Sequence, residues 1–145
     1  MSLVATPDHP APAAELQRSP PHDGEELMQV KGIFEIAIRV KDLARAANFY
    51  KEVLGFQHGL LDADRRWLFL WVNGKAGMVV LQEDKGPWPQ QHFAFAVAAS
   101  DLNKLKSTLE QHDIAVQGPV ELSWMEARSL YFADPDGHAL EFCAV

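Results

Sequence analysis

The chain has 145 residues and a formal net charge of −7, which fits one domain, or two small modules sharing a core, and argues against nucleic acid or an anionic membrane as partner. Its 48% hydrophobic and 10% aromatic content is ample for a packed core. Cys143 stands alone, no apolar run reaches membrane-spanning length and the N-terminus lacks a signal-peptide pattern, so a cytoplasmic protein without disulfides is expected.

Residues 1 to about 30 hold Pro7, Pro10, Pro12, Pro20 and Pro21, without hydrophobic periodicity. This stretch reads as an extended tail in which His9 and His22 are solvated. The remainder, 31–145, reads as a single domain of two modules, about 31–84 and about 91–145.

Ile33–Val40 reads as the first strand, with Glu35, Ala37 and Arg39 on one face and Phe34, Ile36, Ile38 and Val40 on the other, because successive strand side chains alternate. Asp42 suits an N-cap for a helix from Leu43 to about Leu54, whose apolar positions Leu43, Ala46, Ala47, Tyr50, Val53 and Leu54 have helical spacing. Gly55 ends it as a C′ glycine. A short strand around Phe56–Leu60, a turn at Asp62–Arg65, a strand at Trp67–Val72, a tight turn at Asn73-Gly74 and a returning strand at Gly77–Gln82 complete a β-α-β-β-β order. Residues 83–90, with Pro87 and Pro89, form a linker.

The second half repeats the first. His92–Val97 is a strand with His92, Ala94 and Ala96 on one face, so His92 occupies the place that Glu35 has in the first. Ser100 or Asp101 caps a helix that buries Leu102, Leu105 and Leu109. Ile114–Gln117 is a short strand, and 119–127 a loop or ragged edge. Arg128–Ala133 and Ala139–Ala144 form a hairpin across Asp134-Pro135-Asp136-Gly137, a type I turn leading into a bulge. An internal repeat of this kind is a strong fold signal.

An imidazole on a face otherwise made of alanines has open space before it, as a site needs. In the last strand Glu141 shares a face with Ala139 and Cys143, and a carboxylate on a central strand is costly unless paired or bound to a cation. Glu35, His92 and Glu141 converge if the two repeats curl toward each other. One imidazole and two carboxylates suit a divalent ion of the Mn, Fe, Co, Ni or Zn kind with positions left open for substrate. Arg39 either orients an anionic substrate or neutralises Glu35. Tyr131 either offers its hydroxyl to a pocket or packs. His58, Trp67, Trp71 and Trp124 are pocket candidates only by elimination and otherwise read as core or dimer contacts, and His112 and His138 read as surface.

Residues 38–43, 49–56, 92–97 and 130–141, in this order and spacing, resemble the vicinal oxygen chelate superfamily, which includes glyoxalase I, fosfomycin-resistance enzymes, extradiol dioxygenases and bleomycin-resistance proteins. The resemblance implies an α+β fold of two βαβββ modules forming an incomplete, U-shaped barrel around a metal. It carries over His92 and Glu141 as ligands, and puts Glu35 where the family usually has His or Gln. The carboxylate that glyoxalase I takes from the last strand of the first module is missing, since Met78, Val80 and Gln82 point inward there. Ala37 replaces a Thr common in fosfomycin-resistance enzymes, while Arg128–Phe132 resembles their hairpin strand. Arg39, Arg128 and Tyr131 are the substrate-pocket candidates; no catalytic acid or base and no organic cofactor is identified.

The implied function is a metal-dependent enzyme acting on a small oxygenated substrate. The other reading is a metal-free protein that sequesters a small molecule, as in bleomycin resistance. The exposed strand edges and the family's habit both imply a homodimer; if the modules pair across it, Glu35 of one chain meets His92 and Glu141 of the other.

Overall fold

A computed structural model describes residues 28–145, together with Gln17. The predicted tail, with its prolines and histidines, falls otherwise outside the described residues. The chain divides into a unit Met1–Lys31 and a unit Gly32–Val145; only the second is described further.

Module 1 runs β1 (Glu35–Val40), α1 (Leu43–Asn48), β2 (Gln57–Asp62), β3 (Trp67–Trp71) and β4 (Met78–Glu83). Module 2 runs β5 (His92–Ala96), α2 (Leu102–Gln111), β6 (Gln117–Leu122), β7 (Ala127–Ala133) and β8 (Ala139–Ala144). Each forms a four-stranded sheet, ordered β1-β4-β3-β2 and β5-β8-β7-β6. In both, the first strand runs parallel to the last and the other pairs are antiparallel. The sheets are not hydrogen-bonded into a closed barrel. Among the described residues, no helix is long and apolar enough to cross a membrane.

Local sequence accounts for most boundaries. Asp42 accepts the Arg45 N–H at 2.9 Å and so caps α1, while Glu83 accepts the Leu43 N–H at 2.9 Å. The helix continues as a π-helical turn over Phe49–Val53 and closes at Gly55, whose φ is +77°. In α2 the structure differs from expectation: a 3₁₀ turn, Ala99–Asp101, leads in, and neither Ser100 nor Asp101 caps with its side chain. The predicted Asn73-Gly74 hairpin is wider, closed by Val72 N–H to the Gly77 carbonyl at 3.0 Å. The ragged edge at 119–127 is instead strand to Leu122, then a 3₁₀ turn. Pro119 is tolerated because β6 is an edge strand.

One core serves both modules. Ile38, Leu43, Tyr50, Leu70 and Leu81 of the first form a single cluster with Phe95, Leu102, Leu109, Leu130 and Leu140 of the second. Phe56 meets Phe95 edge to face across the junction, with ring centroids 5.3 Å apart. Each sheet therefore has one face on the shared core and one face off it. Glu35, Ala37, Arg39, His92, Ala94 and Ala96 all lie on the exposed faces.

The turn between β7 and β8 fastens the junction. Gly137 N–H donates to the Asp134 carbonyl at 3.0 Å, as the predicted type I turn requires. The buried Asp134 carboxylate accepts the Tyr50 hydroxyl at 2.6 Å and the backbone N–H groups of Asp136 and His138 at 3.0 and 2.9 Å. Asp136 accepts the Lys41 N–H and an Arg45 guanidinium N–H. His138 is not at the surface. It is fully buried, because it shares strand parity with core residues Leu140 and Phe142.

Candidate functional site

The register of module 2 builds a polar group on the open face of its sheet. Ala94 pairs with Glu141, and Glu141 with Tyr131. One pair further along, Ala96 meets Cys143, and Cys143 meets Ser129. Paired residues share a face, so Glu141 is ringed by Ala94, Tyr131, Ser129 and His92. The alanines leave room that longer side chains would fill.

Glu141 is only 7% exposed, and every contact it makes is specific. Its Oε1 accepts the Ser129 hydroxyl at 2.5 Å. Its Oε2 stands 3.1 Å from His92 Nε2. The other nitrogen of that ring, Nδ1, lies 3.0 Å from the Ala139 carbonyl oxygen. A carbonyl can only accept, so Nδ1 carries the hydrogen. In a neutral ring Nε2 then presents a lone pair straight at a carboxylate oxygen. Two acceptors at that distance need a cation between them, a proton or a metal ion.

The donors suit a divalent metal. One imidazole nitrogen and one carboxylate oxygen are ligand types for Zn and its first-row neighbours. The Ala139 carbonyl fixes the tautomer of His92 and the Ser129 hydroxyl anchors Glu141, as outer partners do around bound metals. Among the described residues, no group of three His, Cys, Asp or Glu side chains is close enough to hold an ion. One chain thus brings together two side chains of ligand type, where a catalytic zinc site ordinarily takes three from protein.

Glu35 does not join them within the chain, for a geometric reason. The end of β1 lies by the start of β5, since His138 contacts both the Arg39 carbonyl and the Gln91 N–H. The start of β1 lies by the end of β5, since Ile33, Phe34 and Ile36 line a crevice of about 320 Å³ with Ala94, Phe95 and Ala96. The two strands pass in opposite senses, so the equivalent positions Glu35 and His92 fall at opposite ends.

The substrate-pocket candidates separate too. Tyr131 lies directly beside Glu141 on the open face. Arg39 shares the face of Glu35 and pairs with Asp84 at 2.7 Å. Arg128 has the parity of Leu130 and Phe132, faces away from Glu141, and binds Glu121 at 2.8 Å. Ser129 escaped the sequence reading. Its signal was its parity with Tyr131, once the turn at 134–137 sets the hairpin register.

The open face of module 1 is different. Register places Trp71 by Met78, Phe69 by Val80 and Trp67 by Gln82, with Glu35, Ala37 and Arg39 continuing the rows. Trp67, Phe69, Trp71 and Met78 form a half-buried, largely aromatic wall around the buried Val80, and Glu35, Ala37 and Arg39 stand exposed along its edge.

Comparisons with known proteins agree with this architecture. Residues 32–142 match the model of the Glyoxalase/Bleomycin resistance protein/Dioxygenase superfamily. A metallothiol transferase, FosB, of Lysinibacillus sphaericus is 27% identical over 119 residues, 79% of this chain and 83% of the relative. A glutathione transferase, FosA, of Serratia marcescens is 29% identical over 119 residues, covering 77% and 79%. The crystal structure of an integron cassette protein, HFX_CASS4, from the mobile metagenome of a Halifax Harbour sewage outfall is 59% identical with a TM-score of 0.78, covering 80% of this chain and 100% of that one. The match over residues 32–142 and the paired βαβββ modules together show that the chain belongs to the Glyoxalase/Bleomycin resistance protein/Dioxygenase superfamily.

Proposed function

We propose that the protein is a divalent-metal enzyme whose site is completed between two copies of the chain. His92 and Glu141 of one copy and Glu35 of the other would hold the ion. The observation that carries this reading is the 3.1 Å approach of His92 Nε2 to Glu141 Oε2 with Nδ1 turned to the Ala139 carbonyl, in a pair that lacks a third such side chain among the described residues. A bound ion supplies Lewis acidity to a small substrate with two adjacent oxygens. Glu141, held by Ser129, and His92, held by the Ala139 carbonyl, keep their donor atoms aimed without reorganisation. Ala37 and Ala94 leave space for the substrate, and Tyr131 borders it. The wall of Trp67, Phe69 and Trp71 gives an apolar part of the substrate a surface to lie on.

The relatives' names, a metallothiol transferase and a glutathione transferase, favour transfer of a thiol to an electrophilic carbon that bears one of those oxygens, the C–S bond forming as that C–O bond breaks and the thiol proton passing to the released oxygen. The lone Cys143 fits a reducing compartment such as the cytoplasm.

The test is elemental analysis of protein purified without chelator or a metal column, with Glu35→Ala, His92→Ala and Glu141→Ala alongside. The expected result is near-stoichiometric metal in the parent, lost in all three variants. Mixing Glu35→Ala with His92→Ala chains should restore part of it, because one of the two sites in a mixed dimer is then intact. No metal in the parent, and no thermal shift on adding Mn(II), Ni(II), Zn(II) or Fe(II), would overturn the enzyme reading. A metal-free binding protein, using the aromatic wall, would then stand in its place.

A further inference from the structure

His138 lies just before β8, buried on the core side, yet its ring bonds the end of β1, the strand of Glu35, and Gln91, which immediately precedes β5 and His92. Its two ring nitrogens have opposite roles. The Gln91 N–H donates to Nδ1 at 2.9 Å, so Nδ1 carries the lone pair. Nε2 lies 2.7 Å from the Arg39 carbonyl oxygen, which only accepts, so Nε2 carries the hydrogen. Two backbone groups thus select one neutral tautomer and one ring orientation. Trp88 stacks on the ring at 5.2 Å and 17°. The preceding residue, Gly137, has φ +83°, a left-handed conformation that glycine adopts without strain.

Gln91 immediately precedes His92, and both of its backbone polar groups are engaged. Its carbonyl accepts the Ala139 N–H at 2.9 Å, and its N–H is held by His138. β5 is an edge strand, bonded on one side only. These two bonds fix where it starts against β8, and hence how far the His92 ring stands from the Ala139 carbonyl and Glu141. The same imidazole holds the end of β1, the strand of Glu35.

We propose that His138 is a positioning residue for the metal pair: through Gln91 it sets the seat of His92 opposite Glu141. The inference rests on the metal-enzyme reading above, and it assigns His138 no contact with ion or substrate.

The test compares His138→Leu, His138→Asn and His138→Gln with the parent, by calorimetric titration with Mn(II) and Zn(II) and by thermal melts. Asn places an acceptor near the Nδ1 position and can keep the Gln91 tie. Gln places a donor near the Nε2 position and keeps only the Arg39 tie. His138→Leu and His138→Gln should each weaken ion binding by about 10-fold or more, the scale of a lost outer-shell partner, while His138→Asn stays near the parent. Tyr50→Phe loosens the same turn through Asp134 without touching Gln91. It should lower the melting temperature and leave ion binding unchanged.

Parent-like binding in a folded but less stable His138→Leu protein would overturn the proposal and leave His138 a purely structural residue. So would equal losses of affinity in the Asn and Gln variants. A parent that binds neither ion would instead overturn the metal reading, and this inference with it.

Discussion

The open faces of the two sheets repeat one strand pattern and carry opposite kinds of side chain. Module 2 keeps a buried carboxylate whose oxygens face Ser129 and His92. Module 1, at equivalent rows, sets Met78, Val80 and Gln82 beside Trp71, Phe69 and Trp67, with Glu35 exposed at the edge. One face can anchor a charge, and the other can cover an apolar surface. The backs of both sheets are already spent on the common core, so under the proposed function a second copy is what brings one open face opposite the other.

That contrast requires the two modules to be one folding unit, and the largest predicted effects test this. Leu70→Ala in module 1 and Leu130→Ala in module 2 each empty a fully buried position of the shared cluster. Each should cost about 2–5 kcal/mol. Denaturant melts followed by circular dichroism and by tryptophan fluorescence should still coincide in a single transition. Two separated transitions in either variant would show that the modules fold independently.

The second effect concerns the junction. Burial pushes the Tyr50 hydroxyl pKa well above its ordinary value, and the neighbouring carboxylates of Asp134 and Asp136 push in the same direction. A group raised in the folded state contributes stability that is complete below its unfolded value, about 10 for a phenol, and is lost as pH rises above it. The parent should therefore lose stability above about pH 10 more steeply than Tyr50→Phe. At neutral pH that variant should be less stable by about 1.5–3 kcal/mol, the scale of a hydrogen bond to a charged group. Parallel alkaline curves for the two proteins would contradict the assignment.

A third, smaller effect separates the two faces directly. Ser129→Ala leaves the buried Glu141 carboxylate without its hydroxyl donor, at a cost of about 1–3 kcal/mol. Glu35→Ala removes an exposed side chain and should change stability by about 0.5 kcal/mol or less. Chemical melts of the two variants read the difference. A Glu35→Ala loss as large as that of Ser129→Ala would mean that Glu35 is structural.

Strand alternation made most of the architecture legible from sequence. Period-two patterns at 33–40, 92–97 and 139–144 placed the faces of Glu35, His92 and Glu141 before any contact was known. The Asp134-Pro135-Asp136-Gly137 turn gave a hairpin that could be built from its own residues. The rest depended on tertiary facts. Whether Glu35 and His92 approach is set by the opposite senses of β1 and β5, which no local pattern encodes. His138 could have been placed in the core by its parity with Leu140 and Phe142, but its tautomer depends on Arg39 and Gln91, far away in sequence. The sequence places a short strand at Ile114–Gln117, but β6 begins only at Gln117 and runs on through Gly118 and Pro119 to Leu122. On an edge strand these two are accommodated: a Cβ on Gly118 would lie 2.6 Å from the Ser129 carbonyl oxygen, so only glycine lets the strands approach there.

The smallest effect distinguishes the two helices. Module 1 fastens the start of α1 to its own sheet through Glu83, whereas α2 begins without a side-chain cap. The Arg66 guanidinium and the Leu43 N–H hold the Glu83 carboxyl below the usual carboxylate range. A group depressed in the folded state contributes stability above its unfolded value, about 4.3, and that contribution disappears as pH falls through the folded one. The charge is screened by solvent, so the effect should be slight and local. Amide exchange should quicken at Leu43 as the solution is acidified below about pH 4, relative to Leu102 after correction for intrinsic rates. Glu83→Gln should remove most of that difference, because a neutral amide cannot lose a charge. Equal acid response in both helices would show that the carboxylate adds nothing to the asymmetry between the modules.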